Sequence, residues 1–299
     1  MLMGVNMRQF KNEERLKAFL KSESKRLGIS ISKVYSTYFS RLLLESLSKY
    51  NNQEVIVKGS FAQFVHLRQF VRPITDIDLT SIDNHHDVFL VLVSAMCEKN
   101  DIVYNFRSKP YQKEDTGIYK IPLVAEFGKM KQPLNIDYRE NHPCIYERVI
   151  KTVPPVFLGD TEYPIVVPSI EETLAEKLCI IVESNKPELL NTRVKDFYDI
   201  YEMHGGEYDL DKFSYYFEKM LNARNKVDVS SASTSMLSQE FIKSHEKEWE
   251  HSKKKYEFLD DEIDLYGAVY YTRAVLSEQL QKIKSGKNKT YALIRKIDV

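Results

Sequence analysis

The chain has 299 residues, a length that suits two domains of ordinary size or one domain with a large extension. Hydrophobic residues make up 43% and charged residues 29%, which excludes wholesale disorder. Lys and Arg number 43 and Asp and Glu 43, so the formal net charge is zero and any contact with nucleic acid has to come from a local basic patch. The cysteines Cys97, Cys144 and Cys179 form no CxxC pair, which argues against a disulfide framework or a zinc knuckle. The opening MLMGVNMRQFKNEERLK turns polar too early for a signal peptide. The longest apolar run, Val88 to Cys97, broken only by Ser94, is too short to span a bilayer. These features lead to the expectation of a soluble, reduced, cytoplasmic protein with no membrane partner.

Residues 8–50 carry apolar positions at helical spacing, among them Phe10, Leu16, Phe19 and Leu20, then Phe39, Leu42, Leu43 and Leu47. Asn51-Asn52 breaks the pattern, and Val55-Ile56-Val57 reads as a short buried strand ending at Lys58-Gly59-Ser60. Phe61 to Gln69 reads as a helix. Thr75-Asp76-Ile77-Asp78-Leu79-Thr80 alternates polar and apolar residues, the signature of a strand. Residues 85–99 read as a helix, with the VFLVLV stretch open to a strand reading. Strands are expected at Ile102–Phe106, Ile118–Phe127 and Leu134–Tyr138, and Pro154-Pro155, Pro164 and Pro168 mark the end of this region. Ser169 followed by Glu171-Glu172 is a helix start, with Ser169 as N-cap and Glu172 at the third helical position. Helices are then expected over 170–184, 193–204, 209–222, 236–250 and 256–284, with residues 229–235 as a linker. The expected fold is α+β: a mixed-sheet core with flanking helices over 1–168, then an α-helical C-terminal domain over 169–299.

The chemistry concentrates in Lys58-Gly59-Ser60 and Asp76-Ile77-Asp78. Residues two apart on a strand share a face, so Asp76 and Asp78 present two carboxylates side by side. Like charges that close repel unless a cation lies between them, and Mg²⁺ takes oxygen ligands while keeping substrate phosphates. A Gly-Ser turn leading into a helix offers N–H groups and a hydroxyl to a phosphate, and Gly59 lets a triphosphate approach the backbone. Asp137, on the polar face of Leu134–Tyr138, is a possible third carboxylate. Three such groups on neighbouring strands can hold two metal ions, and Asp137 is also the candidate base for an acceptor hydroxyl. Each D-x-D residue also reads as ordinary solvated strand polarity. In the helical half, Lys177 can neutralise a phosphate and Asp196 can orient it or meet a nucleotide. On the residues alone, the stronger reading makes Lys177 a surface lysine and Lys195-Asp196 a solvated helix start. Lys253-Lys254-Lys255 and the tail lysines Lys282, Lys284, Lys287, Lys289 and Lys296 with Arg295 read as solvated helix ends or as a footprint for RNA. GxGxxG, GxxxxGK[ST], HExxH and GxSxG are all absent from the sequence.

Lys58-Gly59-Ser60, Arg72 and Thr75-Asp76-Ile77-Asp78-Leu79 together resemble the first motif of the AbiEii/AbiGii abortive-infection nucleotidyltransferase toxins, within the DNA polymerase β-like superfamily. Leu174-Ala175-Glu176-Lys177-Leu178 and Arg193…Lys195-Asp196-Phe197-Tyr198-Asp199-Ile200-Tyr201 resemble that family's downstream motifs, in the same order. The resemblance covers roughly residues 40–205. It implies a nucleotidyltransferase that takes an NTP with Mg²⁺ or Mn²⁺ and acts as the toxin of a toxin–antitoxin or phage-defence pair. Ser60, with Lys58, Gly59 and Arg72, would meet the nucleotide, and Asp76 and Asp78 would hold the metal with Asp137 as a less secure third acid. Lys177 would contact the nucleotide, and Asp196 would be the last motif's acid. Gly59-Ser60-Phe61 stands where many relatives have Gly-Gly-Thr, and the Ser60–Asp76 spacing is longer than the superfamily's basic pattern. The expected acceptor is RNA of the tRNA class. A small molecule such as an antibiotic, a protein hydroxyl, or an inactive nucleotide-binding module are the alternatives.

Overall fold

The structure, a computed structural model, describes residues 10–50, 55–81, 86–97, 102–113, 117–140, 147–183, 193–204, 206–224, 233–235, 237–260 and 262–285. Asn51-Asn52, His85, Cys144, most of the expected linker and the basic tail from Lys287 onward lie outside these residues. No helix among the described residues is long and apolar enough to cross a membrane. The chain divides into two compact units: residues 1–142 with 148–168, and residues 143–147 with 169–299.

The first unit is a mixed sheet with flanking helices. Where one long helical region is expected, two helices form, α1 (Glu13–Leu27) and α2 (Ile31–Tyr50). The break is Gly28, whose φ of 70° places it in the left-handed region and lets its N–H cap the Ser24 carbonyl. Then come β1 (Ile56–Val57), α3 (Gly59–Leu67), β2 (Asp76–Thr80), α4 (His86–Met96), β3 (Val103–Phe106), β4 (Tyr111–Lys113), β5 (Ile118–Phe127) and β6 (Met130–Arg139). The strand order is β1-β2-β6-β5-β3, with β4 also on β5. Among the described residues, only the central β2–β6 pair of this sheet is parallel. Phe39, Leu43 and Leu47 of α2 are buried, as are Val57, Ile77, Leu79, Leu134, Ile136 and Tyr138 from the sheet.

A second ribbon, β7 (Arg148–Val153) with β8 (Tyr163–Pro168), replaces the expected proline-marked ending. Pro164 and Pro168 lie within β8, where a two-stranded ribbon leaves an outer edge on which a missing N–H breaks no ladder bond. Arg41, buried on α2, ties the ribbon's connection down. Its guanidinium donates to the Pro154 and Thr161 carbonyls, both at 2.8 Å, and lies 2.7 Å from Asp160 Oδ2. That carboxylate accepts the Val156 and Phe157 N–H groups at 3.0 and 2.9 Å, and the Tyr163 hydroxyl donates back to the Arg41 carbonyl at 3.1 Å.

The second unit is helical: α5 (Ile170–Glu183), α6 (Val194–His204), α7 (Leu210–Arg224), α8 (Gln239–Tyr256) and α9 (Leu265–Lys284). The expected capping box at α5 is formed: the Glu172 N–H donates to Ser169 Oγ and the Ser169 N–H to Glu172 Oε2, both at 3.2 Å. Glu172 also accepts the Glu147 N–H at 3.1 Å. Helix α8 runs further than expected and stops at Glu257, in the left-handed region at φ 50°, while α9 starts late under an Asp264 N-cap. The core is aromatic, with the Tyr198 and Phe258 rings stacked at 3.9 Å and Trp249 against them.

Arg41→Met is expected to cost about 3 kcal/mol, the low end for removing one partner of a buried pair, because Asp160 keeps its two N–H donors. Urea unfolding should show the lower midpoint with an unchanged slope.

Candidate active site

Strand β2 owes its two faces to alternation. Ile77 and Leu79 are buried on one face, while Asp76 is exposed and Asp78 half-buried on the other. The parallel pairing sets Asp76 against Asn135 and Asp78 against Asp137. The same alternation on β6 buries Leu134, Ile136 and Tyr138 and leaves Asn135 and Asp137 on the polar side. One polar strip therefore carries Asp76, Asp78, Asn135 and Asp137.

The turn after β1 closes on this strip. The Lys58 N–H donates to the Asp78 carbonyl at 2.8 Å, so Gly59 and Ser60, the first residues of α3, follow directly beside β2. Gly59 has φ +62°, and a Cβ there would lie 2.0 Å from Asp78 Oδ2. Only glycine admits both the backbone and the carboxylate. The amino end of α3, with its unpaired N–H groups and positive dipole end, thus opens next to Asp78.

Asp137 reaches the strip but is engaged. Its Oδ2 accepts from the Lys120 ammonium, carried by the residue directly opposite it on β5. Among the described residues no group of three or more His, Cys, Asp or Glu side chains is gathered to hold a metal ion. Asp76 and Asp78 suit a hard divalent cation, since Mg²⁺ usually takes one or two carboxylates and completes its shell with phosphates and water. Asp137 is a third carboxylate in register, with an ammonium already on it. Arg72 is 8% exposed and engaged within the chain.

In the second unit, Lys177 on α5 is buried, contrary to a surface-lysine reading. Its Nζ donates to Asp199 Oδ2 at 2.6 Å and to Asp196 Oδ1 at 3.3 Å, both on α6. Asp196 and Asp199 lie one turn apart, which brings both onto the face that meets α5. Asp196 Oδ2 is buried without a hydrogen-bond partner among the described residues; the Arg193 guanidinium approaches it to 3.8 Å. Asp199 and Lys120 were not singled out from the sequence. The first is legible in hindsight from its helical spacing to Asp196. Nothing local marks Lys120, whose role comes from cross-strand register.

Gly59→Ala is expected to cost about 1–3 kcal/mol, the price of a non-glycine residue held in a strained region. A double-mutant cycle with Asp78→Ala separates the two causes. A penalty that shrinks in the Asp78→Ala background is the expected result; one that stays whole would place the strain in the backbone alone.

Residues 41–275 match the family described as nucleotidyl transferase AbiEii toxin, type IV TA system. A comparison with curated proteins finds no match. Among solved structures, JHP933 from Helicobacter pylori is similar at 16% identity and a TM-score of 0.45, over 88% of this chain and 98% of that one. A candidate nucleotidyltransferase from H. pylori is similar at 15% identity and a TM-score of 0.49, over 86% of this chain and 98% of that one. With the family match spanning most of its length, the chain belongs to the AbiEii nucleotidyltransferase toxins of type IV toxin–antitoxin systems.

Proposed function

We propose that this nucleotidyltransferase moves a nucleotidyl group from an NTP, with a divalent metal, to an acceptor hydroxyl on RNA of the tRNA class. The observation that carries the reading is the pairing of Asp76 and Asp78 on one strand face with the glycine-opened start of α3 against Asp78. Asp76 and Asp78 would hold Mg²⁺ or Mn²⁺, which when bound would offset charge on the phosphates and on the departing pyrophosphate. The bare Cα of Gly59 makes room for the Asp78 carboxylate, the Ser60 hydroxyl and the first N–H groups of α3 can donate to phosphate oxygens beside it, and Lys58 adds a positive charge. In the transfer, the acceptor oxygen bonds to the α-phosphorus and the bridging P–O bond to the β-phosphate breaks. Pyrophosphate leaves with that electron pair, and the hydroxyl proton passes to Asp137 in this reading. Three carboxylates against the Lys120 ammonium carry a formal charge of −2 on the strip, the charge one divalent ion balances. The reading therefore takes Lys120 as the cation at Asp137.

Lys177 and Asp196 are proposed to serve the nucleotide, as the family's downstream motifs do. The buried Asp196 Oδ2 supports this, since among the described residues it accepts no hydrogen bond, with only the Arg193 guanidinium at 3.8 Å, and so has room for a donor such as a sugar hydroxyl. Asp199 then acts as a positioning residue that holds Lys177. Arg72, buried and engaged within the chain, is proposed to lend its charge to the nucleotide site. Family membership implies an antitoxin partner, and a cytoplasmic site of action belongs to the same proposal.

The test is transfer of label from each α-phosphate-radiolabelled NTP, with Mg²⁺, into total RNA and into protein. Wild type is compared with Asp76→Ala/Asp78→Ala. Label in tRNA-sized RNA that is lost in the double variant is expected, and it names both base and acceptor class. Label confined to protein, or none above the double variant, would overturn the RNA acceptor.

A further inference from the structure

A second feature of the helical unit is not used by the reaction described above. A cleft of about 460 Å³ lies between the start of α6 and the C-terminal half of α8. Its basic lining is Lys195 from α6 with Lys247 and Lys255 from α8, and His251 lies between the last two. The three α8 positions are spaced by four residues, so they stack along one helix face. Glu248 is the one acidic residue in the lining, so three lysines against it leave a formal charge of +2 with His251 neutral. Lys195 sits in the first turn of α6, where the helix dipole adds further positive potential.

Tyr256 forms the aromatic part of the lining. Its ring is 6.3 Å from Phe258 and nearly parallel to it, and Phe258 in turn stacks on Tyr198 at 3.9 Å, so the ring rests on a fixed aromatic column. The Lys195 and Lys255 ammonium groups each lie 5.2 Å from the Tyr256 ring centroid. A cation on a part-exposed ring is held weakly, and a phosphate offers each ammonium a stronger, charge-assisted partner. Phosphates entering the cleft would draw the lysines off the ring and leave an aromatic face for a base. Cationic groups along a groove beside a ring that can stack is how proteins hold single-stranded nucleic acid.

We infer that this cleft binds a single-stranded segment of the acceptor RNA, Lys195, Lys247 and Lys255 on its phosphates and Tyr256 under a base. The inference rests on the reading that RNA carries the acceptor hydroxyl. The nucleotide itself is the other phosphate-bearing ligand the cleft has to be told apart from.

The experiment uses the full chain and Lys247→Glu/Lys255→Glu, with Lys247→Gln/Lys255→Gln as a milder pair. Both lysines are exposed, and circular dichroism checks the fold of each variant. Binding to a fluorescein-labelled single-stranded RNA is measured by anisotropy across a salt series, and Mg²⁺–ATP and Mg²⁺–CTP binding by calorimetry. Charge reversal is expected to weaken RNA binding at least tenfold, the neutral pair less. The log–log salt slope should become shallower by about 1–2, as two phosphate contacts are lost from a single strand. Nucleotide binding should be unchanged. RNA affinity and slope equal to wild type, or nucleotide binding lost with RNA binding intact, would overturn the inference. Label transfer into RNA by both variants at the wild-type rate and KM would overturn it while leaving the transferase reading standing. RNA bound through the cleft but never labelled would do the opposite.

Discussion

The approach of Gly59 to Asp78 is the constraint on which the rest of the first unit's site depends. The Lys58 N–H bond to the Asp78 carbonyl fixes the turn at the strand, and the positive φ at Gly59 turns the chain into α3 at once. The amino end of the helix is therefore delivered to the edge of a carboxylate pair rather than to open solvent. A helix amino end beside a carboxylate is favourable in itself, since the N–H dipoles offset its negative charge, and in the function proposed above a cation would join that carboxylate pair to phosphates. The fold supplies that juxtaposition through backbone geometry. No long side chain has to be ordered to make it, which keeps its entropic cost low.

The second unit uses the reverse design. Lys177 is withdrawn from water and held by Asp196 and Asp199, two carboxylates one helical turn apart. Burying such a trio costs solvation that its mutual attraction does not fully repay, so it is poor evidence for stability as such. The asymmetry within it carries more information. Asp199 is fully buried, with one oxygen on Lys177, while Asp196 has one oxygen on Lys177 and the other without a hydrogen-bond donor among the described residues, 3.8 Å from the Arg193 guanidinium. A buried acceptor left open is costly unless a ligand fills it, whereas Asp199 reads as the group that fixes where Lys177 points.

The sequence pattern made the fold legible where periodicity was strong. The β2 alternation, the β5 and β6 runs and the Ser169–Glu172 capping box each carry their own local signal, and each forms. The ribbon β7–β8 was missed because Pro164 and Pro168 read as breakers, and only the pairing shows that they sit on a strand with a free edge. Gly28 was missed because the apolar spacing continues on both sides of it. Among the candidate site residues, Asp76 and Asp78 follow from a two-residue spacing on one strand. The state of Asp137 could not follow in the same way, since Lys120 lies 17 residues away in sequence and meets it only through the β5–β6 register.

That pairing alters how three strand carboxylates are to be understood. Read along the chain, Asp76, Asp78 and Asp137 are three like charges that call for two divalent ions. Read across the sheet, one of the three already has its cation, built into the strand next door. A covalently tethered ammonium is always present and needs no binding equilibrium, but it offers no vacant coordination position to a substrate oxygen. Charge on Asp137 is thus settled by folding, while charge on Asp76 and Asp78 is left to be settled by what binds. In the reaction proposed above, the division leaves the metal to Asp76 and Asp78, beside the start of helix α3, and the acceptor's proton to Asp137.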